Sequence, residues 1–174
     1  LGSMPLNEWS VTEELAAADS ALDFFDVLYY DGGPDCGYNA DPGLRWCTDA
    51  TLAFMLNSTR VWGNTSRIQF FLTYSNDIDR HASGRGDLVG DKGKAKWEAL
   101  TRTWVRAMQH RRYMRIGGRP VFKVLIPQVF VQVQCDGNAT LASQRLEELR
   151  LAARAAGLNN HLVGGGWENP SRPN

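Results

Sequence analysis

Polar side chains that can do acid–base chemistry are concentrated in one short segment, which contains Tyr74, Asn76, Asp77, Asp79 and Arg80. Two carboxylates two positions apart, beside an amide and a cation, can act as general acid and base or can bind the hydroxyl groups of a sugar. The same residues are typical of an Asn-Asp turn whose arginine pairs with an acid. From residue types alone, the turn is the more common outcome.

Two other segments combine aromatic rings with carboxylates. The first contains Tyr30, Asp31 and Trp46, and the second is Trp167-Glu168-Asn169 near the end of the chain. This combination suits sugars, because their C–H faces stack on rings while their hydroxyl groups bond to acids. The alternative for the first segment is packing and turn formation, and for the second it is a frayed terminus.

Composition excludes several other classes of function. The formal net charge is zero, and no basic stripe is interleaved with aromatic residues, so we expect no nucleic-acid partner. No apolar run approaches the roughly 20 residues that a membrane helix needs. The sequence contains no Cys-x-x-Cys pair of the kind that binds zinc. The glycines at 164–166 lack the spacing of a dinucleotide-binding fingerprint. We therefore expect no metal, no cofactor and no membrane span.

The cysteines and the glycosylation sequons bear on location. The chain contains three cysteines, Cys36, Cys47 and Cys135. Cys36 and Cys47 bracket a loop and could form a disulfide, and three free thiols are the alternative. Three N-x-S/T sequons begin at Asn57, Asn64 and Asn138, where chance supplies about one. This excess favours a secreted or lumenal glycoprotein, where a disulfide would persist.

The hydrophobic pattern predicts helices alternating with strands. Short apolar runs predict strands at 24–30, 67–74, 121–126 and 161–164. A capping box from Ser10 to Glu13 predicts the first helix, with Leu22 on its apolar face, and periodicity predicts helices at about 49–56, 94–111 and 140–156. This order implies right-handed crossovers and a parallel sheet. The segments that follow the carboxyl ends of the strands would then carry the chemistry.

Glycine-rich segments and the first residues complete the domain description. Residues 83–93 are predicted to be a surface loop or a mobile lid. Gly117-Gly118 is predicted to be a turn after the third helix, and Pro120 fits the first position of a strand. Residues 1–4 are typical of a cleaved tag remnant, so we expect one α/β domain over 5–174.

Three segments together resemble the family-99 glycoside hydrolase superfamily, which comprises the endo-α-mannosidases and their bacterial polysaccharide-cluster relatives. The segments are "EELAAADSALDFFDVLYYDG", "RIQFFLTYSNDIDR" and "RRYMRIGGRPVFKVLIP". Each motif is degenerate alone, and their shared order gives most of the weight. The resemblance covers about residues 20–130 and extends more loosely to 165.

The resemblance implies a (β/α)8 barrel that binds sugar at its carboxyl-end face, with a carboxylate site at Asn76-Asp77. Asp77 stands where the family has a glutamate, and Arg80 stands where the endo-mannosidases have a second one, with Asp79 one position short. A full barrel takes roughly 250 residues, so this chain supplies four of eight strands. The implied fold is about half of a (β/α)8 TIM-type barrel.

These observations predict a glycoside hydrolase-like domain acting on an oligosaccharide, with Asp77 as the main catalytic carboxylate and Asp79 as its helper. The predicted substrate contacts are Tyr30, Asp31, Trp46, Tyr74, Asn76, Arg80, Gln128 and Glu168. One alternative is a carbohydrate-binding or degenerate relative without turnover. The other is a half-barrel that associates with a second chain, either a copy of itself or a partner that completes the sheet.

Overall fold

A computed structural model describes residues 8–30, 48–63, 65, 67–76, 85–159 and 162–165. The elements are α1 (Glu8–Asp19), β1 (Phe24–Tyr30), α2 (Thr48–Asn57), β2 (Gln69–Ser75), α3 (Gly90–Met108), β3 (Arg115–Ile116), β4 (Arg119–Val124), α4 (Pro127–Val129) with a π-helical turn (Phe130–Gln134), α5 (Ala139–Ala155) and β5 (Leu162–Gly165).

Four strands form a parallel sheet in sequence order. β1 pairs with β2, β2 with β4 and β4 with β5, all in parallel. One row of the register runs through Val27, Leu72, Phe122 and Val163. The prediction of an α/β fold with a parallel sheet is confirmed for these four strands. The short strand β3, which the sequence did not predict, pairs antiparallel with the start of β4.

One face of the sheet is covered by helices. Trp104 of α3 contacts the rings of Tyr29, Tyr74 and Phe122, which belong to three different strands. Trp62, which follows α2, stacks on Phe70 with ring centroids 5.7 Å apart. Side chains alternate between the faces of a strand, so these contacts place α2 and α3 on the same side. We call this side the helix-covered face.

The other face carries Phe24, Asp26, Leu28, Phe71, Thr73, Val121 and Lys123, and we call it the open face. Its described contacts join its own strands: Phe24 packs on Phe71, and Asp26 binds Thr73 and Lys123. Thr73 is buried in the middle strand, whereas Phe24 and Leu28 are 46% and 36% exposed. The open face therefore combines a polar centre with an apolar, exposed edge at β1.

The residues before β4 form a hairpin that anchors the sheet. Gly117 and Gly118 have φ values of 57° and 74° and make the two-residue turn between β3 and β4. Tyr113 donates its hydroxyl to the carbonyl of Val121 at 2.7 Å and accepts the N–H of Leu72 at 3.2 Å. The hydroxyl thereby bridges β2 and β4 just before their first register pair. The predicted turn is correct, but it closes a hairpin and does not directly follow the helix.

The predicted start of the first helix is wrong. α1 begins at Glu8, so Ser10 is not its cap but a buried residue of the first turn. The helix also ends at Asp19, which leaves Leu22 outside it and exposed. Asp19 accepts the backbone N–H groups of Arg67 and Ile68 through one carboxylate oxygen. This contact ties the end of α1 to the entrance of β2.

Residues 85–89 are the described part of the predicted loop before Gly90. Hydrogen bonds hold this segment through both its N–H groups and a carbonyl. Gly86 and Leu88 donate backbone N–H groups to Val133 and Gln134. The carbonyl of Leu88 accepts two bonds from the buried guanidinium of Arg145. α3 begins at Gly90, earlier than predicted, and the described part of the segment is anchored to the π-helical turn and α5.

Candidate functional site

The four parallel strands end at one edge of the sheet. Tyr30 and Ser75 are register partners at the ends of β1 and β2. Tyr74, Val124 and Gly165 form the next row inward across β2, β4 and β5. The chain therefore leaves all four strands on the same side, which is the edge where ligands bind in open α/β sheets. We call this the carboxyl edge.

Asn76 holds two segments of the carboxyl edge together. Its side-chain amide donates to the carbonyl of Ile126 at 2.8 Å, and its side-chain oxygen accepts the N–H of Ile126 at 2.9 Å. The residue is fully buried. Both hydrogen-bonding ends of the carboxamide are thus used by the backbone N–H and carbonyl of one residue. The expectation that Asn76 contacts a sugar is not supported by this position, because a backbone partner 50 residues away occupies it.

Tyr74 is a core residue. Its ring lies 5.1 Å from that of Trp104 and 6.3 Å from that of Trp97, and its hydroxyl accepts a hydrogen bond from the side-chain amide of Gln134 at 2.6 Å. The side chain is fully buried. The predicted contact of Tyr74 with a sugar is likewise not supported, because strand alternation turns the ring toward α3.

Of the other predicted contacts, Gln128 is exposed in the helical turn that begins at Pro127. Its side chain is therefore accessible beside the carboxyl edge. Only the backbone of Tyr30 is described, at the end of β1. The remaining predicted site residues lie outside the described residues: Asp31, Trp46, Asp77, Asp79, Arg80 and Glu168.

Gln134 is a polar residue near this edge that sequence reasoning missed. It lies at the end of the π-helical turn and is fully buried. Its side-chain nitrogen donates to Tyr74, while its side-chain oxygen has no hydrogen-bond partner. π-Helical turns are frequent at functional sites. The sequence signal that could have indicated this residue is its position in the run "VFVQVQ", where glutamines interrupt apolar residues.

A polar triad on the open face was also missed. Asp26 accepts a hydrogen bond from the hydroxyl of Thr73, and its other oxygen lies 3.2 Å from the ammonium of Lys123. Lys123 and Asp26 keep 30% and 32% of their side-chain surface exposed. The signal was present, because one charged residue interrupts the apolar run of each of β1 and β4. Two paired charges and a hydroxyl give the open face both donors and acceptors.

The titratable groups elsewhere serve the fold. Burial raises the pKa of the free thiol of Cys135 to about 11, so this residue is not an activated nucleophile. Burial also raises the pKa of Tyr113.

The described sequon asparagines make contacts within the fold. Asn138 caps α5 by accepting the N–H of Leu141 at 2.9 Å. Asn57 accepts a bond from Arg106. Cys36, Cys47 and Asn64 lie outside the described residues.

No group of three or more metal-binding side chains occurs within the described part of the chain. The helices described there include none that is long and apolar enough to cross a bilayer. Comparison with protein-family models, with curated proteins and with solved structures gives no significant match. The resemblance to family-99 glycoside hydrolases therefore stays a prediction.

Proposed function

We propose that this chain is a carbohydrate-active domain resembling the family-99 glycoside hydrolases, built as half of a (β/α)8 TIM-type barrel, and that it binds an oligosaccharide at the carboxyl edge. Strands that follow one another in sequence order, with helices on one face, are the repeating unit of such barrels. The open face corresponds in this proposal to the barrel interior. The sugar would bind across the ends of β1, β2 and β4.

The observation that carries the proposal is the register pair Tyr30–Ser75. Asp31 follows Tyr30 in the sequence, and Asp77 is two residues after Ser75. Neighbouring strands lie about 4.8 Å apart, so the chain leaves β1 and β2 from adjacent positions just before these two residues. Two carboxyl groups roughly 5 to 9.5 Å apart serve the two common glycosidase geometries. In this proposal Asp77 is the main carboxylate and Asp79 its helper.

A second candidate function is glycan binding without turnover. Asn76 favours it, because its carboxamide is committed to Ile126 and is not free to orient a substrate beside Asp77. Sugar binding would then rest on Asp77, Gln128 and the aromatic residues after β1. The two candidates share one site and differ only in whether a glycosidic bond breaks.

The test is binding and hydrolysis of an oligosaccharide panel, with α-mannosides included, by the wild-type chain and by Asp77→Asn. This substitution keeps the shape of the side chain and removes its charge. Asp23→Asn is the matched control, because Asp23 is exposed just before β1, at the opposite end of the strand. Circular dichroism should show equal folding of all three proteins.

An enzyme loses turnover in Asp77→Asn but still binds the glycan, whereas a binding module shows weaker binding and no turnover in any form. Asp23→Asn should match the wild type in both assays. Binding of no glycan in the panel, or equal behaviour of Asp77→Asn and Asp23→Asn, would remove Asp77 from the proposal.

A further inference from the structure

The open face and its two bordering edges form an interaction surface that the proposed glycan site does not use. No described strand pairs with the outer edge of β1 or of β5. We propose that a second copy of this chain occupies this surface, so that two copies close into one eight-stranded barrel around the open faces. This inference rests on the half-barrel architecture of the proposed function, but it does not use the glycan site.

Apolar exposure is concentrated beside β1. Among the described residues, seven large hydrophobic side chains are exposed, and four of them belong to α1, β1 or the turn between them: Trp9, Leu22, Phe24 and Leu28. Scattered single apolar residues need no explanation, but Phe24 and Leu28 are both exposed on the open face of the edge strand, which marks a contact surface. An edge strand with apolar side chains, next to which no described strand lies, also invites another strand.

The order of the strands decides which partner fits. β1 and β5 are the opposite edges of a parallel sheet, so β5 of one copy can extend the sheet in parallel with β1 of the next. Such head-to-tail contacts close only if the rotation completes a ring. Four strands from each of two copies give eight, the number that closes a barrel filled by side chains. A second copy therefore satisfies both edges of both chains at once.

The chemistry of the open face suits enclosure. Asp26 and Lys123 neutralise each other within one chain, and Thr73 supplies a further hydrogen bond to Asp26. Burial of paired and hydrogen-bonded charges avoids the large cost of burying an isolated charge. The two edges also differ in side-chain size: β1 presents Phe24 and Leu28, while β5 presents Gly164, which leaves room for a neighbour.

Closure by a second copy would also complete the carboxyl edge. In a closed barrel the loops after all eight strands surround one site. Each chain supplies the segments after four strands. The sugar-binding surface of the proposed function would therefore be shared by two copies, although the dimer does not depend on the glycan site.

The first experiment is multi-angle light scattering on the wild-type chain, Leu28→Arg and Leu151→Arg. Leu151 is the control, because it is 54% exposed on α5 and points away from the open face into the groove between α3 and α5. We expect the wild type and Leu151→Arg at twice the chain mass of 19.4 kDa, and Leu28→Arg at one chain mass with an unchanged circular dichroism spectrum.

The second experiment does not depend on a charged substitution. Phe24→Cys combined with Gly164→Cys places two thiols on opposite edges of one chain, more than three strand spacings (about 14 Å) apart. A barrel of eight strands and shear 8 offsets each junction between two copies by four residues, which brings position 24 of one copy opposite position 164 of the other. A disulfide needs Cα atoms within about 7 Å, so the pair can form only between copies. We expect covalent dimers under oxidising conditions in the double variant and much less in either single variant.

The inference is overturned if the wild-type chain stays a monomer throughout the micromolar concentration range. A series of larger oligomers would overturn it as well, and so would a dimer that Leu151→Arg disrupts and Leu28→Arg does not. Absence of cross-linked dimers in the double variant counts against it in the same way. The light-scattering result and the glycan-binding result can be told apart. A monomer that binds glycan supports the glycan site without the dimer, and a dimer that binds no glycan supports the closed barrel without the glycan site.

Discussion

The side chain of Asn76 and the backbone of Ile126 are joined by two hydrogen bonds of opposite direction, at 2.8 and 2.9 Å. The last register pair between β2 and β4 is Tyr74–Val124, so this contact extends the joint between the strands beyond the end of the ladder. It fixes the separation of the two backbones at the point where Asp77 and Pro127 follow. The geometry of the carboxyl edge thus depends on a side chain as well as on the sheet.

Replacing Asn76 by Ala should destabilise the fold. The change leaves the N–H of Ile126 without its partner in a half-buried setting, whereas the carbonyl of Ile126 keeps the N–H of Phe130 at 3.1 Å. The unpaired N–H costs about 1–3 kcal/mol. Urea denaturation of the wild type and the variant measures the difference. Asn159→Ala is the control, because Asn159 is exposed and makes one 3.4 Å bond to Gly118; it should cost less than about 0.5 kcal/mol. Equal midpoints for the two variants would contradict the assignment.

Tyr113→Phe should remove the bridge between β2 and β4 without changing the packing of the ring. The N–H of Leu72 and the carbonyl of Val121 would lose their partner, at a cost of about 1–3 kcal/mol. Because the change is nearly isosteric, the denaturant dependence should keep its slope while the midpoint falls. A midpoint equal to that of the wild type would show that the strands or water replace the hydroxyl.

Gly93→Ala should be much more harmful than Gly90→Ala. A Cβ at Gly93 would lie 2.2 Å from the carbonyl carbon of Leu88, whereas a Cβ at Gly90 meets nothing within 4 Å. Overpacking against backbone costs about 3 kcal/mol or more, and the shift would also disturb the bonds from Arg145 to Leu88. Gly90 has a φ of 65°, so its replacement costs about 1–2 kcal/mol. Thermal unfolding of both variants checks this order, and a reversed order would contradict it.

The environment of His110 predicts a dependence of stability on pH. Burial lowers the pKa of His110, and the neighbouring arginines 111, 112 and 115 lower it further. The ring packs beside Trp62 and Phe70, and its Nδ1 accepts the N–H of Arg112 at 3.2 Å. The folded pKa is therefore below the unfolded value of about 6.5, and the unfolded state binds more protons at mildly acidic pH. The stabilisation is full above about pH 6.5 and is lost as the pH falls toward the folded pKa.

His110→Asn isolates this effect, because an amide oxygen can accept the same bond and does not titrate. The free energy of unfolding of the wild type should fall more between about pH 7.5 and about pH 5.5 than that of the variant. Denaturant titrations at both pH values measure the two differences. His81 and His161 are present in both proteins and cancel in the comparison. Parallel pH profiles for the two proteins would exclude His110 as the cause.

The strands were predictable because their signal is local. The apolar runs at 24–30 and 67–74 contain all of β1 and all of β2 except Ser75, and the alternation with helices predicted the parallel order. The ends were less predictable. Ser10 and Glu13 have the spacing of a capping box, yet both lie inside α1, which already includes Glu8. Residues 127–134 combine β-branched residues with Pro127, and neither periodicity nor propensity indicates the π-helical turn.

The candidate site was less predictable than the fold because long-range partners determine it. The carboxyl edge follows from strand order, so the sequence placed Tyr74 and Asn76 near it. Which way each side chain points depends on Ile126 and Gln134, 50 and 60 residues further along the chain. No local pattern contains that information. The polar triad illustrates the same limit, since Asp26 and Lys123 are 97 positions apart.

The bonds from Arg145 to the carbonyl of Leu88 have a consequence for the order of events during translation. The two residues are 57 positions apart, and the chain emerges from the ribosome from its N-terminal end. β1, β2 and α3 are therefore synthesised before the side chain that binds the residues in front of α3. In a nascent chain that ends before Arg145, the carbonyl of Leu88 lacks the guanidinium that binds it in the folded protein. The residues in front of α3 gain these two hydrogen bonds only after α5 has been synthesised.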